Sequence, residues 1–211
     1  MVLKLKSSDK SPHNSIMFEN TDNLSCSCDN AVKNAFDILG TLTPLKADCG
    51  MLCGGACCKG GENDGMRLFP SEQTSFKTVK IAETEVYNKG INRKICTGKT
   101  GDNATAELCV CNGKCNRTMR PLACRIFPLF PLILKDGTIT VAADARAYRL
   151  CPLVKNAENV KFDKSFVTAV RRAGRALYKN AECRDFLKRS TEEILLYQKL
   201  YGINIKISKR I

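Results

Sequence analysis

Cys49-Gly50-Met51-Leu52-Cys53-Gly54-Gly55-Ala56-Cys57-Cys58 sets four thiols within ten residues, and its reading decides what organises this chain. A second patch, Cys109-x-Cys111-x3-Cys115, is followed by Cys124 and then Cys151. These account for most of the thirteen cysteines in 211 residues, so the thiols are clustered rather than scattered. Crowded thiolates repel one another unless a cation neutralises them, and a soft metal does this. Scattered buried thiols have no such need. The spacing therefore predicts a thiolate-bound metal centre.

A disulfide framework is the bland alternative, and it requires an oxidising compartment. The opening residues Met1-Val2-Leu3-Lys4-Leu5-Lys6-Ser7-Ser8-Asp9-Lys10 carry charge and hydroxyls where a signal peptide has an apolar run. The most apolar stretch, residues 126–134, is nine residues long with prolines at 128 and 131, far short of a membrane span. The expectation is a cytoplasmic protein without membrane association, where disulfides are rare. An odd cysteine count also forbids complete internal pairing.

The chain is long enough to bury an aliphatic core around the metal region. Trp is absent, so that core falls to Leu, Ile, Val and Phe. The formal charge of +13 counts every thiol as neutral. A centre of four thiolates and one divalent metal carries about −2, so two centres bring the chain to about +9. The remaining Lys and Arg fall largely on C-terminal helical segments as a solvated face. Signatures of DNA- or RNA-binding modules are missing, and no nucleic-acid partner is expected. A protein partner stays open.

Residues 1–30 read as a polar tail that holds the only histidine, His13, together with Cys26 and Cys28. Ala31, Val32, Ala35, Phe36 and Leu39 form one apolar face with Gly40 as its stop, which predicts a helix. Glycines at 50, 54, 55, 60 and 61 break up the first cysteine patch and let backbone amides approach sulfur. Ser71 is a candidate cap, and Phe76, Val79 and Ile81 suggest a strand. Leu132 to Val141, with Asp136-Gly137 in the turn, predicts a β-hairpin. Phe162, Phe166, Val170, Ala173 and Leu177 recur at helical spacing. Ser190-Thr191-Glu192-Glu193 reads as a capping box opening a second helix that Gly202 closes. Ile203, Ile205 and Ile207 alternate like a strand. The expected fold is α+β with few, short strands: a small cysteine-rich, metal-centred core at residues 31–153, and a C-terminal helical segment at 154–211 packed on it.

The spacings exclude several centres. The ferredoxin run Cys-x2-Cys-x2-Cys-x3-Cys-Pro is absent. No Cys-x2-Cys occurs, which removes zinc knuckles and thioredoxin-like redox motifs. The sole histidine, misplaced in the tail, leaves no His-rich hydrolytic zinc site and no Cys/His nucleophile. No Gly-x-Gly-x-x-Gly cofactor loop follows a strand.

Residues 49–58 followed by Gly65-Met66-Arg67-Leu68-Phe69-Pro70 resemble the first signature of the YkgJ-type cysteine-cluster family. Cys111-Asn112-Gly113-Lys114-Cys115-Asn116-Arg117 and Arg120-Pro121-Leu122-Ala123-Cys124-Arg125-Ile126-Phe127-Pro128 resemble its second. Asp144-Ala145-Arg146 and Cys151-Pro152 resemble its closing element, so the likeness spans about residues 48–153. The resemblance implies a zinc- or iron-chelating protein, with flagellin lysine N-methylase as a relative associated with an iron–sulfur cluster and S-adenosylmethionine. Carried over by position, the implied metal ligands are Cys49, Cys53, Cys57, Cys58, Cys111, Cys115, Cys124 and Cys151. Adjacent Cys57 and Cys58 are expected to point different ways. Cys26, Cys28, Cys96, Cys109 and Cys183 lie outside the signatures.

Arg117, Arg120 and Arg125 admit two roles: compensating the thiolates, with Asp144 as a possible ion-pair partner, or binding an anionic ligand beside the metal. Arg146 is equally open. All-sulfur ligation suits zinc and iron–sulfur alike; glycine amides and missing histidine favour iron–sulfur. The expected function is a metal-binding protein with one or two all-cysteine centres and no assigned reaction. The alternative is a cluster-dependent enzyme, an S-adenosylmethionine-using protein-lysine methyltransferase.

Overall fold

The computed structural model describes residues 27–59, 65–72, 86–88, 91–99, 105–111 and 120–203, with side chains at 27–59, 66–72 and 120–203. These residues form an α+β fold.

Helix α1 (Cys28–Leu39) starts where Ser27 supplies a cap, its hydroxyl accepting the Asn30 N–H at 3.3 Å. Ala31, Val32, Ala35 and Leu39 are buried along one face, and Gly40 ends the helix. The polar tail expected to reach residue 30 thus stops at the Ser27 cap. A hairpin follows later in the chain, β5 (Leu129–Ile133) against β6 (Ile139–Ala143), with Leu129 opposite Ala143 and Ile133 opposite Ile139. It is longer than the predicted one, and nine of its ten strand residues are buried, since helices cover both faces.

Helix α5 (Lys164–Tyr178) is capped by Asp163, whose Oδ1 accepts the N–H groups of Ser165 at 2.8 Å and Phe166 at 3.1 Å. Phe166, Val170, Ala173 and Leu177 face inward as their spacing predicts. Gly174 lies directly against the hairpin: a Cβ there would collide with Pro131 and reach Ile139 Cγ2 at 3.0 Å. The last helix, α6 (Ala181–Leu200), corrects the sequence reading. It begins ten residues before Thr191, capped by Asn180, whose Oδ1 accepts the Cys183 N–H at 3.0 Å. Ser190 and Thr191 are buried in mid-helix rather than capping it. The Thr191 hydroxyl donates to Leu187 O at 2.7 Å and accepts the Ile133 N–H at 3.1 Å, so it stitches the helix to β5. Gly202, in the left-handed region at φ 64°, ends α6 as expected.

A second sheet has the order β1-β4-β3-β2, all neighbours antiparallel. Its strands are β1 (Gly65–Arg67), β2 (Val86–Asn88), β3 (Ile91–Lys99) and β4 (Thr105–Cys111). The nine-residue β3 is longer than the short strands expected, because its pairing with β4 runs from Arg93–Cys111 to Lys99–Thr105. The strand expected through Phe76, Val79 and Ile81, and that through Ile205 and Ile207, lie outside the described residues.

One continuous aliphatic and aromatic core runs from Ala31 in α1 through the β5–β6 hairpin to Ile194 in α6. Helices α5 and α6, in the segment after residue 153, share this core with the preceding residues and contribute Phe166, Val170, Leu177 and Leu187 to it. The first cysteine patch, expected at the centre, lies at the rim: Met51 is 84% and Leu52 64% exposed. A glycine-rich segment has too little apolar side chain to earn a central place. Among the described residues no helix is long and apolar enough to cross a membrane.

Candidate metal centre

The first patch folds as two short turns. α2 (Gly50–Cys53) brings Cys53 over Cys49, with its Sγ 3.9 Å from the Cys49 carbonyl oxygen. Gly54 and Gly55, both left-handed at φ 59° and 72°, then reverse the chain into a 3-10 turn at Ala56–Cys58. Side chains at either position would strain this reversal. The turn also corrects one expectation: Cys57 and Cys58 do not diverge but hold their sulfurs 3.9 Å apart. So tight a turn keeps neighbouring side chains within reach of each other.

Two more segments close on this patch. Cys124 sits in α3 (Leu122–Ile126), and Cys151 precedes α4 (Pro152–Lys155). Cys49, Cys53, Cys57 and Cys151 line one cleft, together with apolar Leu52, Phe127 and Leu150. Cys124 is near enough for its charge to act on Cys57. Six of the eight cysteines implied as ligands therefore come together from segments about 65 and 90 residues apart in sequence. Cys111 ends β4, and its backbone is tied to the first signature through the Gly65–Val110 and Met66–Cys109 pairs of β1 and β4. Cys115 and Arg117 lie outside the described residues, as do His13 and Cys26.

The thiols differ electrostatically. A hydrogen bond with the Cys58 thiol holds Cys57 below the ordinary thiol value, against burial and the charges of Cys49, Cys53 and Cys124. Burial pushes Cys151 up, and nearby Cys53 and Asp144 add to this; the backbone amides of Val154 and Leu153 oppose it. Among the described residues, no three His, Cys, Asp or Glu side chains meet at ligating distance.

The arginines take specific places. Asp144 is bound by Arg146, at 2.9 Å to Nε and 2.7 Å to Nη2. Glu193 of α6 joins this group, 3.3 Å from Arg146 and 2.6 Å from Arg67. Burial works against the Arg146 charge, but Asp144 and Glu193 outweigh it and hold the guanidinium above its ordinary value. Arg125 donates to the carbonyl oxygens of Gly40 at 3.1 Å and Arg120 at 3.3 Å, and covers the Phe36 ring.

Sequence reasoning missed two carboxylates. Glu193 is hidden inside the apparent capping box. Glu72 is fully buried, with one oxygen accepting the Phe69 N–H and the other the Leu122 N–H, both at 2.7 Å. The available signal was a lone acid just after Leu68-Phe69-Pro70, an apolar setting in which a carboxylate requires donors. Comparison with family models, with curated proteins and with solved structures gives no match to this chain.

Proposed function

We propose that this protein binds a soft metal centre through cysteine thiolates, with an iron–sulfur cluster favoured over zinc, and that it is related to the YkgJ-type family. One observation carries the reading: Cys49, Cys53, Cys57, Cys58, Cys124 and Cys151, brought from three separate segments, gather at one rim of the core. Thiols gathered for packing alone would be buried and inert, whereas Cys57 is exposed and held below the ordinary thiol value. The donor set fits the group. Sulfur is the ligand soft metals select, and the nearby carboxylate Asp144 is committed to Arg146. These six residues, joined by Cys111 and Cys115, would hold the centre. A cluster there supplies electron transfer or redox sensing; zinc supplies a structural clamp.

The test is anaerobic purification followed by iron, zinc and acid-labile sulfide analysis. The proposal expects stoichiometric metal, brown with sulfide for a cluster or colourless for zinc. Protein that takes up neither metal, even after reconstitution with iron and sulfide, would refute it.

A further inference from the structure

Outside both patches, two other cysteines meet. Cys28 Sγ lies 3.0 Å from Cys183 Sγ, although 155 residues separate them in sequence. Each occupies the first turn of its helix, α1 or α6, held in register by the caps Ser27 and Asn180. Cys183 is completely buried and Cys28 half-buried, so solvent reaches the pair through Cys28. Closing the gap to a disulfide bond needs roughly 1 Å of motion.

We infer that Cys28 and Cys183 form a reversible redox clamp between α1 and α6. The oxidant is a low-molecular-weight disulfide of the glutathione type. The Cys28 thiolate attacks one of its sulfurs, forming a mixed disulfide and expelling one small thiolate. Cys183, giving up its proton, then attacks Cys28 Sγ and expels the second small thiolate. Two protein thiols are oxidised by two electrons, the small disulfide is reduced to two thiols, and the two protons end on the leaving sulfurs. A small dithiol runs the sequence backwards.

The clamp reaches the first signature. In the reduced state the Cys28 thiol donates to Pro70 O at 3.4 Å, and Phe69 packs on Phe186 of α6 with ring centroids 4.6 Å apart. Oxidation removes the S–H that serves Pro70 and fixes the two helices between which the Phe69–Pro70 backbone is held. The bond uses no cysteine of either patch, so the link can be read separately from the metal content of the centre.

The experiment treats the full chain with oxidised glutathione, alkylates the remaining thiols and maps tryptic peptides without reduction. The expected result is a link between residues 11–33 and 180–184. Cys26→Ser retains it, whereas Cys28→Ser and Cys183→Ser abolish it. Because the bond closes a 155-residue separation, oxidation raises the Tm by roughly 5–10 °C, and dithiothreitol reverses the rise. A link lost in Cys26→Ser, a Cys28 that carries glutathione while Cys183 alkylates on unfolding, or an unchanged Tm on oxidation would each overturn the inference. Because the Tm comparison is made within the wild-type protein, a poorly folding variant cannot obscure it.

Discussion

Glu72 accepts the backbone N–H of Leu122 at 2.7 Å across fifty residues of sequence, and with its other oxygen it accepts Phe69 N–H at 2.7 Å. A single buried carboxylate thus joins the segment after the first signature to the helix that carries Cys124. Glu72→Gln keeps the shape but offers an NH2 group to one of two N–H donors. A buried donor left unsatisfied costs about 1–3 kcal/mol, so the Tm should fall by roughly 3–9 °C. Thermal denaturation of the variant checks this, and an unchanged Tm would mean the carboxylate contributes little to joining the segments.

The opposite shifts of Cys57 and Cys151 predict an order of reaction. In metal-free protein Cys57, held low by Cys58, should react with iodoacetamide at lower pH than Cys151, held high by burial. The stability consequences have opposite sign. Cys57 contributes stability above its unfolded value, lost as pH falls through the folded one. Cys151 contributes stability below its unfolded value, lost as pH rises through the folded one. Peptide mapping after timed alkylation between pH 6 and 10 gives the order, and equal rates for the two thiols would contradict it.

How much of this was legible beforehand depends on whether the signal was local. Helix α1, the stripe of α5 and the hairpin were readable because spacing, a cap or a turn residue sat beside each. The start of α6 was not, since Ser190 and Thr191 imitate a cap, and only the Thr191 bonds to Leu187 and Ile133 show the mid-helix role. The β3–β4 pairing is non-local, and strands rich in Lys, Arg and Thr show little contrast until partnered. At the site, clustering marked the cysteines as a group, and the family resemblance, not spacing alone, named the six that gather. Which arginine holds Asp144 depends on tertiary neighbours that spacing does not encode.

Gly174 tests the close approach of α5 to the hairpin. Alanine is better by about 1 kcal/mol in an ordinary helix interior. Here its methyl would drive into Pro131 and Ile139, and overpacking of this kind costs about 1–3 kcal/mol. Gly174→Ala should lower the denaturation midpoint, with a net loss of up to about 2 kcal/mol. A stabilised variant would mean that the helix can move away from β5 freely.

The proposed centre predicts a division among cysteines. Cys53→Ser and Cys124→Ser should lose most of the bound metal, measured as metal per chain after anaerobic purification. Cys183→Ser should retain it, because Cys183 is buried against Cys28 rather than in the cleft. Equal loss from Cys183→Ser and Cys124→Ser would defeat the assignment of ligands by segment.

Arg125 separates support of the fold from support of the metal. It follows Cys124 directly, and sequence alone offered it as a counter-charge to thiolates or as an anion ligand. Its guanidinium donates to Gly40 O at the end of α1 and to Arg120 O, and lies 4.8 Å from the Phe36 ring centroid. A cation suits that place, since the last carbonyls of a helix concentrate partial negative charge. Arg125→Gln gives up the charge and the stacking, each worth about 0.5–1 kcal/mol at a partly exposed site. The expected outcome is a Tm lower by a few degrees with metal content unchanged, and Arg125→Lys recovers part of the loss. If metal content falls in Arg125→Gln while the Tm of the metal-free protein stays constant, the residue serves the centre and its contacts with α1 are incidental.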